Sequence, residues 1–433
     1  MKNYCKNLIV WGFFGMISQI VPAQNVMTLQ ECIDYALEHN TDLRIARATT
    51  QLQEVSVREN KAAWLPSMSA NLSEGVTWRP FADDKKSTVN GSYGVNANWT
   101  IWDGNTRQLN IKSAEIDAKR SQLNEKTLEN SYVEEIMQYY VQLLYMKEAL
   151  KVNEQQLAHD SIVLARGEEF LNVGKMSRAD VAQLRSQMAT GNYEVVNART
   201  QIDLKLIQLK KIMDYPATSP LDIISVEKTD AEAMKAIPAK NDVYHLALSH
   251  RPEIEDASVN VDQSKLNTKL AKASRLPSIG LSAGLSDSHN TGAVNNFGEQ
   301  MKSNFNANAG VTVSIPIFDN RKTKSAIERA KINETIAELD YDDACEQLYR
   351  TIDTYWQNAK NNQEQYQASK MTVQYMEESN NLLNEQFRLG LKNISELLKS
   401  RDDLLDARQT MLQDKYVTIY CRELLEFYAN GKY

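Results

Sequence analysis

The sequence predicts a mainly helical protein with a small β part, in which one structural unit occurs twice. Two very long stretches, Asn105 to Asn172 and Arg321 to Arg388, contain no proline and only one glycine, Gly167, as expected of long helices. Short segments with strict alternation of apolar and polar residues lie between the helical stretches, as expected of strands. The same order of elements then recurs in the second half, which indicates an internal duplication.

Four segments alternate in this way, and successive side chains of a strand point to opposite faces. The first follows Leu65-Pro66-Ser67, and the third follows Leu276-Pro277-Ser278. One face is therefore apolar and meets either a protein core or lipid, whereas the small polar groups of the other are typical of a watery barrel lumen. The apolar positions are Met68, Ala70, Leu72, Val76 and Trp78, then Tyr93, Val95, Ala97, Trp99 and Ile101, then Ile279, Leu281, Ala283 and Leu285, and finally Phe305, Ala307, Ala309, Val311, Val313, Ile315 and Ile317.

The two long helices are predicted to pack as coiled coils and to end at glycines. At about 1.5 Å per residue, each would be roughly 100 Å long. Gly174 and Gly390 suit the left-handed residue that closes a helix. Ser177 and Ser395 are the expected caps of the helices that follow. Apolar residues at a spacing of seven, interrupted only by Asn130, support the coiled-coil prediction: Leu109, Ile116, Leu123, Met137 and Leu144.

The duplication sets the predicted domain boundaries. Ala36-Leu37 with His39 recurs as Ala247-Leu248 with His250, and Trp102-Asp103 corresponds to Phe318-Asp319. We predict a signal peptide at 1–23, a first repeat at 24–216, a linker at 217–241 and a second repeat at 242–433. Each repeat is expected to contain a helix, two strands and a helical hairpin.

The N-terminus and the charge restrict the location and the partners. Lys2 and Lys6 precede an apolar stretch, and Val21-Pro22-Ala23 offers a cleavage site, so a secretory signal peptide is predicted over a retained membrane helix. No later apolar stretch is long enough for a membrane helix. The net charge of −7 argues against nucleic acid as a partner.

No pattern in the sequence predicts catalysis, a metal site or a cofactor. There is no HExxH motif and no nucleophile elbow. The histidines form no cluster with ligand-like spacing: His39, His159, His245, His250 and His289. We therefore predict that the protein is not an enzyme.

Taken together, the mature chain resembles the TolC family of outer-membrane efflux proteins. The resemblance rests on the combination of several short motifs in duplicate and in order, since none is specific alone. They are the helix Leu29 to Leu37 with Asn40, the two Leu-Pro-Ser strand starts, the strand ends Trp102-Asp103-Gly104 and Phe318-Asp319-Asn320, and the two tip glycines.

This resemblance implies a homotrimer in the cell outer membrane with a long periplasmic extension. Each chain would give four strands to a shared β-barrel, and its helices would form a periplasmic tunnel. The loops at 79–90, with Asp83 to Lys86, and at 287–303 would face outside. The implied partners are outer-membrane lipid, a periplasmic adaptor (membrane fusion) protein and an inner-membrane pump of the RND or ABC type.

The resemblance also implies a gate and a docking site at the helical tips. An Asp180–Lys392 link would help to close the tip, and Phe387 stands where the best-studied gates carry a tyrosine. Glu396 would lie at the constriction, with Lys399 in place of the next acid, so that local neutralisation is expected instead of strong cation selectivity. The expected adaptor-docking residues are Val173, Gly174, Lys175, Met176, Leu389, Gly390, Leu391 and Lys392.

The function predicted in this way is a passive exit duct of a tripartite efflux pump or a type I secretion system. The alternatives are a periplasmic or secreted coiled-coil scaffold without channel activity, and an autonomous porin. A scaffold does not need four lipid-facing strands, and a porin lacks the long helices.

Overall fold

The computed structural model describes residues 25–81, 87–225 and 227–431. The predicted signal peptide at 1–23 and the Asp83 to Lys86 part of the first outer loop lie outside these ranges. In chain order the elements are β1 (Asn25–Met27), α1 (Leu29–His39), α2 (Thr41–Ala62), β2 (Ser67–Trp78), β3 (Ser87–Trp102), α3 (Thr106–Asn172), α4 (Arg178–Met213), β4 (Leu221–Ile223), α5 (Asp230–Ala233), α6 (Lys240–His250), α7 (Pro252–Ala273), β5 (Ser278–Asn290), α8 (Phe297–Ser303), β6 (Asn306–Ser314), α9 (Lys322–Arg388) and α10 (Ile394–Asn430).

The two long helices occur where the sequence predicted them. Helices α3 and α9 each contain 67 residues. Neither includes a proline, because a proline inside a helix removes a hydrogen bond and clashes with the preceding turn. Within the described ranges, no helix combines the length and the apolarity needed to cross a bilayer.

The described chain divides into two compact units. One consists of the described parts of 1–36, 136–228 and 376–412, and the other of 37–135, 229–375 and 413–433. The first unit contains both helical tips, and the second contains the four-stranded sheet.

The main sheet is antiparallel, with the strand order β2-β3-β5-β6. Ser67 lies opposite Asn98, Gly94 opposite Ser286 and Ala283 opposite Ala309, and the register shifts once, between Thr100 and Trp102. Most apolar positions predicted for one face fall opposite one another, as Leu72 and Tyr93 do, whereas Ile101 falls at the register shift.

The strand ends and the outer loops differ from the prediction. Strand β6 ends at Ser314, before Pro316, which has no N–H to donate to a ladder. Strand β3 begins at Ser87 and β5 continues to Asn290, so both outer loops are shorter than expected. The second loop contains α8, which Asn296 caps through the backbone N–H of Glu299 at 2.9 Å.

The predicted linker at 217–241 contains regular structure of its own. Strand β4 pairs in parallel with β1, and Met27 lies opposite Ile223. The Tyr140 hydroxyl, on α3, donates to the carbonyl of Ile224 at 3.1 Å, and Lys147 pairs with Asp222. This segment is therefore held against α3 within its unit.

A buried cation lies in the core of the second unit. The guanidinium of Arg251, at the start of α7, lies 3.9 Å from the centre of the Tyr428 ring. Arg251 pairs with Glu134 at 3.0 Å and with Glu253 at 2.7 Å. The free-energy cost of burying the Arg251 charge is reduced because two carboxylates and the face of an aromatic ring surround it.

Candidate gate and docking site at the helical tips

The two helical tips are built in the same way. Gly174 and Gly390 have φ angles of 72° and 76°, in the left-handed region that glycine adopts without strain. The backbone N–H of Lys175 donates to the carbonyl of Phe170 at 2.8 Å, and that of Leu391 donates to Gln386 at 2.9 Å. These bonds close α3 and α9 with the same turn.

The helices that leave the tips have different caps. Ser177 and Asp180 form a reciprocal capping box at the start of α4, with the Asp180 N–H donating to the Ser177 hydroxyl at 3.1 Å. The prediction of Ser177 as the cap is confirmed, but Ser395 as the cap of α10 is wrong. Asn393 accepts the N–H of Glu396 at 2.9 Å, and it precedes the first helical residue.

Ser395 instead joins the two helical hairpins. Its hydroxyl is 3.2 Å from the side-chain nitrogen of Gln183 on α4. One turn further along, Gln187 donates to Asp402 at 2.8 Å. The two hairpins of one chain are thus linked by polar contacts just behind the tips.

The predicted gate residues are divided between two clefts of the first unit. Asp180, Phe387 and Lys392 line a cleft of about 420 Å³ between the tip turns. Glu396 and Lys399 line a second cleft of about 330 Å³ between α9 and α10. Lys399 is therefore not part of the cleft that contains Asp180.

The ion pairs at the tip differ from those expected. Lys392 Nζ is 2.5 Å from Glu396, so Lys392 instead of Lys399 neutralises this acid. The Asp180 carboxylate accepts from the Ser177 hydroxyl at 2.8 Å. The Asp180–Lys392 link is not formed within one chain, where the two residues line the same cleft but have other partners.

Apolar packing holds the tip turns in place and leaves other apolar groups exposed. The core of the tip consists of Leu184, Ile394, Leu397 and Leu398, with the half-buried Met176 and Phe387 packed against it. Three of the predicted docking residues are exposed instead: Val173 by 67%, Leu389 by 68% and Leu391 by 71%. These three apolar side chains are therefore accessible to solvent at the two tip turns.

A buried polar cluster behind the tips was not predicted from the sequence. Arg401 and Asp160 have side chains that are 3% exposed and pair at 3.4 Å. Arg401 also donates to Nε2 of His159 at 2.8 Å and to Asn384 at 3.2 Å. The cluster connects α3, α9 and α10 of the first unit. Its one signal in the sequence is a cation at an apolar position of α10, four residues after Leu397 and three before Leu404.

The surroundings of this cluster shift the pKa values of its members. Burial raises the pKa of Asp160, and the charge of Arg401 opposes this rise. Partial burial lowers the pKa of His159, and the charges of Arg401 and Arg166 lower it further. The neutral form of His159 is favoured because its Nε2 accepts a hydrogen bond from a cation.

The described ranges contain three cysteines and no side-chain group placed to hold a metal ion. Within these ranges, no group of three or more His, Cys, Asp or Glu side chains is placed to hold a metal ion. Cys32, Cys345 and Cys421 are free thiols, and burial raises the pKa of Cys32 to about 12 and that of Cys421 to about 11. A buried thiol with a raised pKa is unreactive.

The chain belongs to the outer membrane efflux protein family, whose model matches residues 32–214 and 243–424. The outer membrane efflux protein BepC of Brucella suis biovar 1 is 23% identical over 392 residues, which cover 90% of this chain and 82% of BepC. The outer membrane protein TolC of Salmonella enteritidis is 22% identical over 450 residues, which cover 100% of this chain and 86% of TolC.

Solved structures show the same fold at low identity. CusC has a TM-score of 0.80 and 17% identity, and the match covers 93% of this chain and 92% of CusC. The open state of the Neisseria gonorrhoeae MtrE outer membrane channel has a TM-score of 0.75 and 17% identity, with 93% and 89% of the two chains covered. The chain therefore has the TolC-like fold, and its family places it in the outer membrane.

Proposed function

We propose that this protein is the passive outer-membrane exit duct of a tripartite efflux pump or a type I secretion system. An inner-membrane transporter of the RND or ABC type would deliver the substrate through a periplasmic adaptor. The observation that supports this proposal most directly is the four-stranded sheet, which has open edges and an exposed apolar face.

The open edges of the sheet favour assembly with other copies of the chain. Among the described strands, β2 and β6 each pair on one side only. Unpaired N–H and C=O groups are too costly in lipid, so a sheet in a membrane must close on itself. Four strands are too few to enclose a wide lumen, whereas three copies would supply about twelve. We therefore propose a homotrimer that shares one barrel.

The two faces of the sheet have the chemistry that such a barrel requires. On the apolar face, Leu72 is 78% exposed and Val311 is 65% exposed, which suits contact with outer-membrane lipid. On the other face, the side-chain nitrogen of Asn96 donates to Asn71 at 3.2 Å. A lumen lined in this way would conduct polar substrates without binding them tightly.

We propose the tips as the gate and as the docking site for the adaptor. The exposed Val173, Leu389 and Leu391 would provide the apolar part of this surface. The other proposed docking residues, Gly174, Lys175, Met176, Gly390 and Lys392, complete the two turns. The gate would consist of Asp180 and Lys392 paired between copies, with Phe387 in the same cleft and with Glu396 and Lys399 in the second cleft.

The ionic current through the purified protein in a planar bilayer tests this function. A duct is expected to give stepwise current with salt alone, without nucleotide or any other energy source. Membrane-bound protein that gives no current under any voltage would contradict the proposal. The coiled-coil scaffold would then become the better explanation, above all if the protein is found in the soluble fraction.

A further inference from the structure

A cleft with two cations lies at one end of the main sheet. It is formed where α7 connects to β5 and where β6 connects to α9, and its volume is about 260 Å³. Arg275 and Lys324 line it from the two connections, and both side chains are exposed. Among the described residues, no ion pair engages either cation.

The carboxylate in this cleft is already engaged. Asp319 accepts the backbone N–H of Thr323 at 2.7 Å and also the Thr323 hydroxyl, and it thereby caps α9. These hydrogen bonds lower the pKa of Asp319, so that it stays ionised. The two cations still outnumber this single acid in the lining, which makes the cleft suited to an anion.

An exposed apolar stripe leads into the same cleft. Along the edge strand β6 and just beyond it, Val311, Val313, Ile315 and Ile317 are 65%, 55%, 62% and 95% exposed. Ile317 also lines the cleft, next to Phe318, which is 84% exposed. A cationic cleft at the end of an apolar stripe matches a molecule that has an anionic head and a long apolar tail.

We propose that this cleft binds the headgroup phosphate of an anionic phospholipid in the inner leaflet of the outer membrane. The acyl chains would lie along the stripe from Ile317 to Val311. Arg275 would bind the phosphate through two parallel N–H donors, and Lys324 would act as a point charge. The inference rests on the proposed function, because the strands must lie in the membrane with the helices on the periplasmic side.

Charge complementarity selects an anionic over a zwitterionic lipid. Each Lys or Arg near a membrane surface strengthens the attraction to anionic lipid by roughly fivefold. Phosphatidylglycerol carries a net negative charge, whereas phosphatidylcholine carries none. Phosphatidylglycerol is therefore the probe, and phosphatidylcholine is the matched comparison.

Native mass spectrometry of the full chain, extracted from the outer membrane in detergent, measures this binding directly. The wild type is expected to bind added phosphatidylglycerol more tightly than phosphatidylcholine. The double variant Arg275→Gln/Lys324→Gln should lose phosphatidylglycerol affinity by roughly fivefold for each cation removed. Its phosphatidylcholine affinity should fall less, because the choline group offsets the phosphate charge.

Two further variants separate this site from general effects of charge. Arg79→Gln/Lys302→Gln removes two exposed cations at the other end of the sheet and should bind phosphatidylglycerol like the wild type. Arg275→Lys/Lys324→Arg keeps both charges and should retain the preference. Equal phosphatidylglycerol affinity of the first double variant and the wild type would overturn the inference.

The same spectra distinguish the failure of this inference from the failure of the proposed function. Loss of the trimer in Arg275→Gln/Lys324→Gln would show that the cleft is a contact between copies, and the lipid inference would be wrong. A membrane-extracted trimer with unchanged lipid binding would reject the lipid inference alone. A wild-type chain that is absent from the outer membrane would reject the proposed function before any lipid is added.

Discussion

The charge of Arg401 is buried, and its ion pair with Asp160 compensates it. A buried ion pair that loses one member typically loses about 3–5 kcal/mol of stability, because an uncompensated charge stays buried. Asp160→Asn should therefore lower the midpoint of urea unfolding clearly. The matched control is Arg185→Gln, which breaks the exposed pair with Glu168 and should cost about 0–1 kcal/mol. Equal midpoints of the two variants would contradict the structural role of the Arg401 cluster.

His159 makes the stability of this cluster depend on pH. Above pH 6.5 its imidazole is neutral in the folded and the unfolded chain, so the cluster contributes fully. Below that pH the unfolded chain takes up a proton that the folded chain, with its lowered pKa, does not bind, so stability falls. The raised pKa of Asp160 has the opposite sign, since the folded chain takes up that proton first.

The variant His159→Gln isolates this contribution. Between pH 7 and pH 5.5, its unfolding midpoint should fall less than that of the wild type. Thermal unfolding across this range, measured side by side for both proteins, provides the comparison. Parallel curves for the two proteins would show that His159 does not carry the effect.

Single residues show where the sequence was informative. Ser177 was predictable as a cap because it follows the glycine turn by three positions and precedes an acid that completes the box. In the sequence, Asn393 and Ser395 are both possible caps of α10. Which of them caps the helix depends on where the tip turn after Gly390 ends. The Arg401 cluster was not predictable, because its partners on α3 lie 241 and 242 positions away in the chain.

At the level of elements, the tip turn after α3 has two roles that a pair of variants can separate. Asp180→Ala removes a cap and also the charge proposed to pair with Lys392 of a neighbouring copy. Ser177→Ala removes the cap alone, at about 1 kcal/mol. We expect a higher single-channel conductance for Asp180→Ala and a conductance near that of the wild type for Ser177→Ala.

Planar-bilayer recordings of the three proteins decide between the two roles. If Asp180→Ala conducts like the wild type, the proposed link does not restrict the tip. If both variants conduct more, capping of α4 accounts for the change and no link needs to be invoked.

The alternation of the strands predicts opposite effects for two adjacent residues of β2. Leu72→Arg would place a charge on the proposed lipid face, which costs about 2–4 kcal/mol near the middle of the bilayer. Asn71→Arg would place the same charge on the proposed lumen face, where water solvates it. The amount of folded protein in the outer-membrane fraction should fall strongly for Leu72→Arg only. Equal amounts would contradict the assignment of the two faces.

Elements with a local signal in the sequence are predictable, whereas elements that depend on distant partners are not. Helices α3 and α9 and the four long strands follow local periodicity, and they appear within a few residues of the predicted positions. Strand β4 has three residues and forms only because β1, far away in the chain, lies beside it. Helix α8 has seven residues in a loop that mixes polar residues with Val294, Phe297 and Met301, and its local signal is the cap at Asn296.

For the whole molecule, the duplication was the most informative property of the sequence. It predicted two strand pairs and two helical hairpins in a fixed order, and this order recurs in the fold. The packing of the gate residues was less predictable, because Lys392 has both Asp180 and Glu396 within reach in sequence or space. Lys392 lies in the turn just before α10, and it pairs with Glu396, four positions further along in the first turn of that helix.

The native mass of the protein extracted from the outer membrane tests the central claim most directly. Light scattering, corrected for bound detergent, should give about three times the mass of one mature chain, because three copies are proposed to close the barrel. The matched Leu72→Arg variant should be depleted from the same fraction. A monomer in that fraction, or protein recovered only in soluble form, would contradict the shared barrel and the duct that depends on it.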